Sequence, residues 1–261
     1  MTVRTIKMSL MAVVLISALV LSGILPQEIF VHAEEKPPAS DIPAADGEKQ
    51  KEEEFIVVIN PGHQGKSNNK KESVAPGSKK KKAKVASGTR GISTKVRESK
   101  RNLQVAKILA KDLKDAGIKV VMIRNKEKVN ISNAQRARKA NKIKADLVIS
   151  LHCDASSKRS VKGITMLVPK KTKWTKKFYS KSLKAGKLVQ KEVIKGTKAT
   201  DRGVKKRNDL TGFNHSKVPT ILIEMGFMTN KKEDKKLGKK SYQNKLSKSM
   251  TKGIVKYLDT L

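Results

Sequence analysis

The distribution of apolar residues along the chain predicts alternating strands and helices from residue 55 onward. Short continuous apolar runs, rich in β-branched residues, are typical of buried strands. They lie at residues 55–59, 118–123, 145–151, 162–168 and 220–223. Helices are expected between them at residues 98–116, 132–141, 174–195 and 242–258. This alternation predicts an α/β fold: one domain with a central, mostly parallel β-sheet and helices on both faces.

Two of the helices carry specific signals. Leu103, Ala106, Ala110 and Leu113 recur at helical spacing and form one apolar stripe. Ser132 and Gln135 have the spacing of a capping box, which marks the start of a helix. By contrast, residues 66–96 are rich in lysine, serine and glycine and have no apolar period, so we expect a long loop there.

The first 54 residues differ from the rest of the chain. Residues 1–33 have a basic start, an apolar stretch and a small-residue ending at Ala33, which predicts a secretory signal peptide. An uncleaved membrane anchor is the alternative. Residues 34–54 contain three prolines and eight acidic residues and are expected to form a solvated linker. The folded domain would then span residues 55–261 of an exported protein.

The charge of the predicted domain indicates the kind of partner. Residues 55–261 contain 54 basic and 14 acidic residues, a formal charge of +40. Such a field favours polyanions, and an exported protein would meet the anionic polymers of a cell wall, not nucleic acid. The run from Lys79 to Lys82 is expected to be an exposed, flexible loop. We expect a monomer without stable membrane association once the signal peptide is removed.

Four residues are candidates for chemistry. His63 and His152 follow predicted strands, Glu224 ends an apolar strand, and Glu98 falls in the first turn of a helix. The carboxyl ends of parallel strands share one edge of a sheet, so the first three side chains can converge there. The simpler alternatives are an unimportant loop histidine and, for Glu98, a carboxylate that only favours the helix dipole. Cys153 is predicted to be a buried residue, and His215 to be structural or to line a groove.

Two histidines and a glutamate form a known catalytic zinc set with one open position. A second glutamate could then deprotonate the attacking water, and the bond broken would be an amide. The spacing alone is not diagnostic, because the chain has no His-Glu-x-x-His helix.

Four motifs in this order resemble those of the zinc-dependent N-acetylmuramoyl-L-alanine amidases of the type 3 family. They are Val57-Val58-Ile59-Asn60-Pro61-Gly62-His63-Gln64-Gly65, Glu98 with Asn102-Leu103, Ala145-Asp146 through Ser150-Leu151-His152, and the segment from Val218 to Asn230 that contains Glu224. The likeness covers about residues 55–258. The chain differs from the usual pattern at Asn60, where an aspartate is common, at Cys153-Asp154, and in the length and basic character of residues 66–96.

The resemblance implies a peptidoglycan hydrolase that cleaves the bond between N-acetylmuramic acid and L-alanine. It also implies zinc held by His63, Glu98 and His152, with Glu224 as the catalytic base. Two alternatives are a zinc peptidase that cuts within the stem peptide and a non-catalytic cationic protein that binds the wall. A complete set of candidate ligands argues against the latter.

Overall fold

The computed structural model describes residues 54–261. The predicted signal peptide and nearly all of the predicted linker lie outside the described residues. Six strands form the central sheet in the order β4-β1-β5-β8-β6-β7. They are β1 (Ile56–Pro61), β4 (Lys119–Met122), β5 (Leu147–Asp154), β6 (Ile164–Pro169), β7 (Asp201–Arg207) and β8 (Thr220–Phe227).

Neighbouring strands of this sheet are parallel except for β6 and β8, which pair antiparallel. The predicted class, an α/β domain with a mostly parallel central sheet, is therefore confirmed. The helices are α1 (Glu98–Asp115), α2 (Asn133–Ile143), α3 (Tyr179–Thr197), α4 (Thr211–Asn214), α5 (Lys231–Gly238) and α6 (Lys240–Leu258).

Helices cover both faces of the sheet, as the sequence predicts. The larger core joins α1, α3 and α6 to alternate residues of β1, β5, β6 and β8, and the apolar stripe of α1 lies in it. On the opposite face, Val58 and Val148 pack with residues of α2, and Leu167 and Leu222 pack on Phe213 of α4. Because strand side chains alternate between faces, the residues between the core positions, such as Ser150 and His152, point toward the α2 side.

The segment predicted as a long loop contains a β-hairpin, so that prediction was wrong. β2 (Asn68–Ser73) and β3 (Lys81–Val85) pair antiparallel. The exposed loop predicted for the run from Lys79 to Lys82 is only partly present: Lys79 and Lys80 lie in the hairpin turn, whereas Lys81 and Lys82 belong to β3. Both strands consist mainly of polar and basic residues, which leaves no apolar alternation to reveal them.

Other boundaries also differ from the predictions. β5 and β8 continue past His152 and Glu224, so both residues lie within the last few positions of their strands, not after them. The polar edge strand β7 was not predicted, and α3 begins at Tyr179, five residues later than expected. Within residues 54–261, no helix combines the length and apolar character needed to cross a membrane.

Candidate metal centre

His63 lies on a strained turn that follows β1. Its φ angle is 56°, in the left-handed region that non-glycine residues seldom adopt. Gly62 makes the turn possible, because a β-carbon there would lie 2.2 Å from the ring of His152. The two histidines can therefore approach each other only across a glycine.

Two buried arginines hold this turn. Arg136 of α2 donates to four oxygens of the turn at 2.8–3.3 Å: Asn60 Oδ1, the Pro61 and His63 carbonyls and Gln64 Oε1. Arg124 donates to the carbonyls of Pro61 and Gly62 at 3.0 and 2.9 Å. Burial lowers the pKa of Arg136 to about 9 and that of Arg124 to about 10. The sequence analysis did not single out either arginine.

Glu98 is the buried residue at the centre of the cluster, 3% exposed at the start of α1. Oε1 accepts hydrogen bonds from the backbone N–H of Cys153 at 3.1 Å and from Asn102 Nδ2 at 3.2 Å. Oε2 accepts from the N–H of Thr89 at 2.9 Å. These donors fix the carboxylate, so its position is set before any ligand binds.

The side chains of His63, Glu98 and His152 lie together at the carboxyl edge of the sheet. Glu98 Oε1 is 3.2 Å from His63 Nε2 and 3.0 Å from His152 Nδ1. The ligand atoms that the three residues offer all lie within 4.8 Å of one another. Ligand atoms placed about 2.0–2.1 Å from a tetrahedral zinc ion would be about 3.3 Å apart. The donor set and the two distances from Glu98 Oε1 thus fit a zinc ion.

Electrostatics prepare Glu98 and His152 for a cation, and a hydrogen bond orients His63. Burial raises the pKa of Glu98, but the hydrogen bonds and charges of the two histidines outweigh it and hold the pKa well below its usual range. Burial lowers the pKa of His152. His63 Nδ1 donates to the Ala86 carbonyl at 2.7 Å, which fixes the ring and turns Nε2 toward Glu98, where it can act as a metal ligand.

Glu224 lies beside this cluster on the neighbouring strand. It is in register with His152 across the parallel pair β5 and β8, so the two side chains point to the same face. Glu224 Oε2 is buried and has no hydrogen-bond partner among the described residues. Burial, followed by the charges of Glu98 and Asp154, raises the pKa of Glu224 well above its ordinary value.

Cys153 and His215 do not belong to the cluster of candidate metal ligands. Cys153 is a free, buried cysteine, as predicted, and its side chain lies in the larger core. His215 Nε2 lies 3.0 Å from the Ser73 carbonyl, where it joins the end of α4 to the hairpin. It lies outside the cluster of candidate metal ligands.

A cavity of about 200 Å³ adjoins the two histidines on the α2 side of the sheet. Val85 and Ala86 at the end of the hairpin, Arg136 and Ala137 of α2, and Phe213 of α4 contribute to its walls. The hairpin that the sequence analysis missed thus forms one side of the candidate site.

Comparison with known proteins identifies the class that this fold and site define. The family model of the N-acetylmuramoyl-L-alanine amidases matches residues 57–256. Because the match covers most of the chain, the chain belongs to this family. The family and the enzyme class predicted from the sequence, a peptidoglycan amidase, are therefore confirmed.

Individual relatives agree with this assignment. The germination-specific N-acetylmuramoyl-L-alanine amidase of Bacillus subtilis is 31% identical over 123 residues, which cover 47% of this chain and 49% of that protein. The N-acetylmuramoyl-L-alanine amidase of Clostridium difficile 630 superposes with a TM-score of 0.65 at 29% identity, covering 79% of this chain and 98% of that one. Ami1 of Mycobacterium smegmatis superposes with a TM-score of 0.73 at 21% identity, covering 79% of this chain and 98% of the Ami1 chain. At this identity the likeness supports the fold alone.

Proposed function

We propose that this protein hydrolyses the amide bond between N-acetylmuramic acid and L-alanine of peptidoglycan with a zinc ion held by His63, Glu98 and His152. Glu224 is the general base. The observation that carries the proposal is the approach of three zinc-type ligands to within 4.8 Å, with Glu224 in register beside His152. Membership of the amidase family supports the same chemistry.

When bound, zinc polarises the scissile carbonyl and lowers the pKa of water. The remaining work falls to the chain itself. Glu98 is held by Thr89, Asn102 and Cys153 and keeps the two imidazoles in place. Glu224 accepts the proton of the attacking water and transfers it to the amide nitrogen as the C–N bond breaks. Burial raises the pKa of Glu224 above the ordinary value of a carboxyl group, which favours holding the proton between these two transfers.

Removal of the metal tests the cofactor. We expect one zinc per domain by elemental analysis, and we expect chelators to abolish hydrolysis. Acid should also release the ion, since a protonated imidazole cannot act as a ligand. Full activity in protein shown to contain no zinc would rule out this part of the proposal.

The position of the bond cleaved separates the amidase from a peptidase that acts within the stem peptide. Purified peptidoglycan should be digested and its fragments analysed by mass spectrometry. We expect new amino termini on L-alanine and intact glycan chains. New termini further along the peptide would instead identify a peptidase, and the absence of any new termini would favour a non-catalytic wall-binding protein.

We infer the place of action from the sequence. A signal peptide over residues 1–33 would export the protein. The linker over residues 34–54 would separate that signal peptide from the catalytic domain. The basic domain would then attach to anionic wall polymers as a monomer, in the wall or the secreted fraction.

A further inference from the structure

A groove of about 860 Å³ adjoins the candidate metal centre. It begins at Gln64 and Gly65, which directly follow His63, and it includes Arg97, which directly precedes Glu98. The sequence neighbours of two candidate ligands thus form one end of the groove. Gly65 is two residues from His63, so this end of the groove lies within about 7 Å of the His63 backbone, close enough for one extended substrate to reach both. The catalytic steps proposed above make no use of the groove.

The lining of the groove has two properties that point to a ligand. It carries a formal charge of +3, from Lys66, Lys70, Arg97 and Lys128 against Glu127. It also presents three exposed or partly exposed side-chain amides: Asn68, Asn69 and Asn130. A concave surface of one sign focuses the field and attracts ions of opposite charge. Amides both donate and accept hydrogen bonds, as a peptide backbone requires.

Hydrogen bonds hold the floor of the groove in place. The N–H of Gly65 donates to the Glu127 carbonyl at 3.0 Å, and Arg97 Nη1 donates to the Gly65 carbonyl at 2.8 Å. At the far wall, Asn68 Nδ2 donates to Asn130 Oδ1 at 2.8 Å. A site that is already ordered loses less conformational freedom on binding. The groove is therefore a formed surface and not a chance gap between mobile lysines.

We propose that this groove binds a free carboxylate carried by the peptide of the substrate. The inference rests on the proposed function, since it places that peptide at the metal centre. Positive charge beside amide groups matches an acidic peptide. None of the described residues that line the groove is aromatic, so the lining offers no flat apolar platform for a sugar ring. The groove thus makes the enzyme selective for stems that keep this carboxylate free.

Two soluble muramoyl peptides that differ at a single group test the proposal. One carries a free carboxylate on the residue after L-alanine, and the other carries a primary amide in its place. The groove variant combines Lys66→Gln, Lys70→Gln and Lys128→Gln; Arg97 stays, because it adjoins Glu98. The control variant combines Lys184→Gln, Lys187→Gln and Lys191→Gln on the exposed face of α3, which removes the same charge elsewhere.

The measured quantity is kcat/KM for each substrate with each protein. The unaltered protein should prefer the free carboxylate by about tenfold, a size expected for charged hydrogen bonds at a partly exposed site. The groove variant should hydrolyse both peptides at the rate of the amidated one, and the control variant should keep the preference. Equal rates on both peptides with the unaltered protein would overturn the groove assignment. A loss of preference in the control variant as large as that in the groove variant would do the same. Either result would leave the proposed amidase function standing. Hydrolysis of neither peptide would overturn the proposed function and this inference with it.

Discussion

At the scale of single residues, Glu98 and Glu224 are two carboxylates with opposite surroundings. Glu98 accepts hydrogen bonds at both oxygens, whereas Glu224 Oε2 is buried without a partner among the described residues. We therefore expect Glu224→Gln to keep zinc and to lose turnover by about 10²–10⁴-fold, the usual contribution of a general base. Glu98→Gln should lower zinc content as well as rate. Zinc analysis and hydrolysis assays on both variants measure the difference.

The matched control for these variants is Glu192→Gln. Glu192 lies on α3 and pairs with Lys256, outside the cluster, so its loss should change neither zinc content nor rate. Near-normal hydrolysis by Glu224→Gln would contradict its role as the base. Loss of zinc from that variant would make Glu224 a ligand.

Arg136 gives a second prediction at this scale. It touches no candidate ligand side chain, yet it donates to the backbone of the turn that carries His63. Arg136→Lys keeps a charge but loses the planar fork that reaches several oxygens at once. We expect unfolding free energy to fall by about 2–4 kcal/mol, as for a broken buried network, and zinc affinity to fall with it.

Thermal unfolding and zinc titration of Arg136→Lys check this expectation. Arg138→Lys is the control, because Arg138 lies on the same helix with its side chain exposed. Unchanged zinc affinity in the Arg136 variant would show that the turn keeps its shape without the fork.

At the scale of elements, the β2–β3 hairpin is attached to the domain by polar contacts. Lys82 Nζ donates to the carbonyl and to Oδ2 of Asp209, and Arg207 donates to both carboxylate oxygens of Asp209 at 2.8 Å. Arg207 and Lys82 outweigh partial burial and lower the pKa of Asp209 below its ordinary value. At the tip, Trp174 Nε1 donates to the Pro76 carbonyl at 3.0 Å.

Acid should therefore loosen the hairpin. A carboxyl group whose pKa is lowered in the folded state stabilises that state fully above the unfolded pKa, about 3.9 for aspartate. This stabilisation is lost as the pH falls through the folded pKa. The pairs are partly exposed, so the effect should be about 1 kcal/mol or less.

Trp174 is the only tryptophan of the chain and contacts the hairpin tip, so its fluorescence can report the change. We expect the emission to stay constant above about pH 4 and to shift below it while far-UV circular dichroism is unchanged. Asp209→Asn should weaken this dependence on pH. An identical acid response in that variant would contradict the role given to Asp209.

The same elements show how far the sequence could predict the structure. β1, β5 and β8 are buried on both faces over most of their length, because helices cover both, and their apolar residues form runs that the sequence reveals. β2, β3 and β7 are polar, and their strand form depends on pairing partners that the sequence does not reveal. The four candidate site residues stand out in the sequence because they lie at or near the ends of predictable elements. Arg124 and Arg136 could not, because nothing in the sequence separates a buried arginine from the many exposed cations.

At the scale of the whole molecule, the excess of basic residues is the dominant feature. Residues 55–261 carry a formal +40, and exposed lysines occur on every helix except the short α4. Charge spread in this way produces attraction to polyanions without one dedicated site. Because exposed charges are screened, binding to the anionic polymers of the wall should weaken as salt rises. The Debye length falls from about 10 Å at 0.1 M to about 3 Å at 1 M salt.

Sedimentation of the protein with purified cell walls measures this attraction. The Glu224→Gln variant is the suitable protein, because walls that are not digested stay intact during the measurement. We expect most of the protein to sediment at low salt and most to remain in solution at about 1 M salt. Walls stripped of their anionic polymers serve as the control and should bind less protein at low salt, since only the carboxylates of the stem peptides then remain as countercharge. Binding that is equal at low and high salt would show that contacts other than charge hold the protein to the wall.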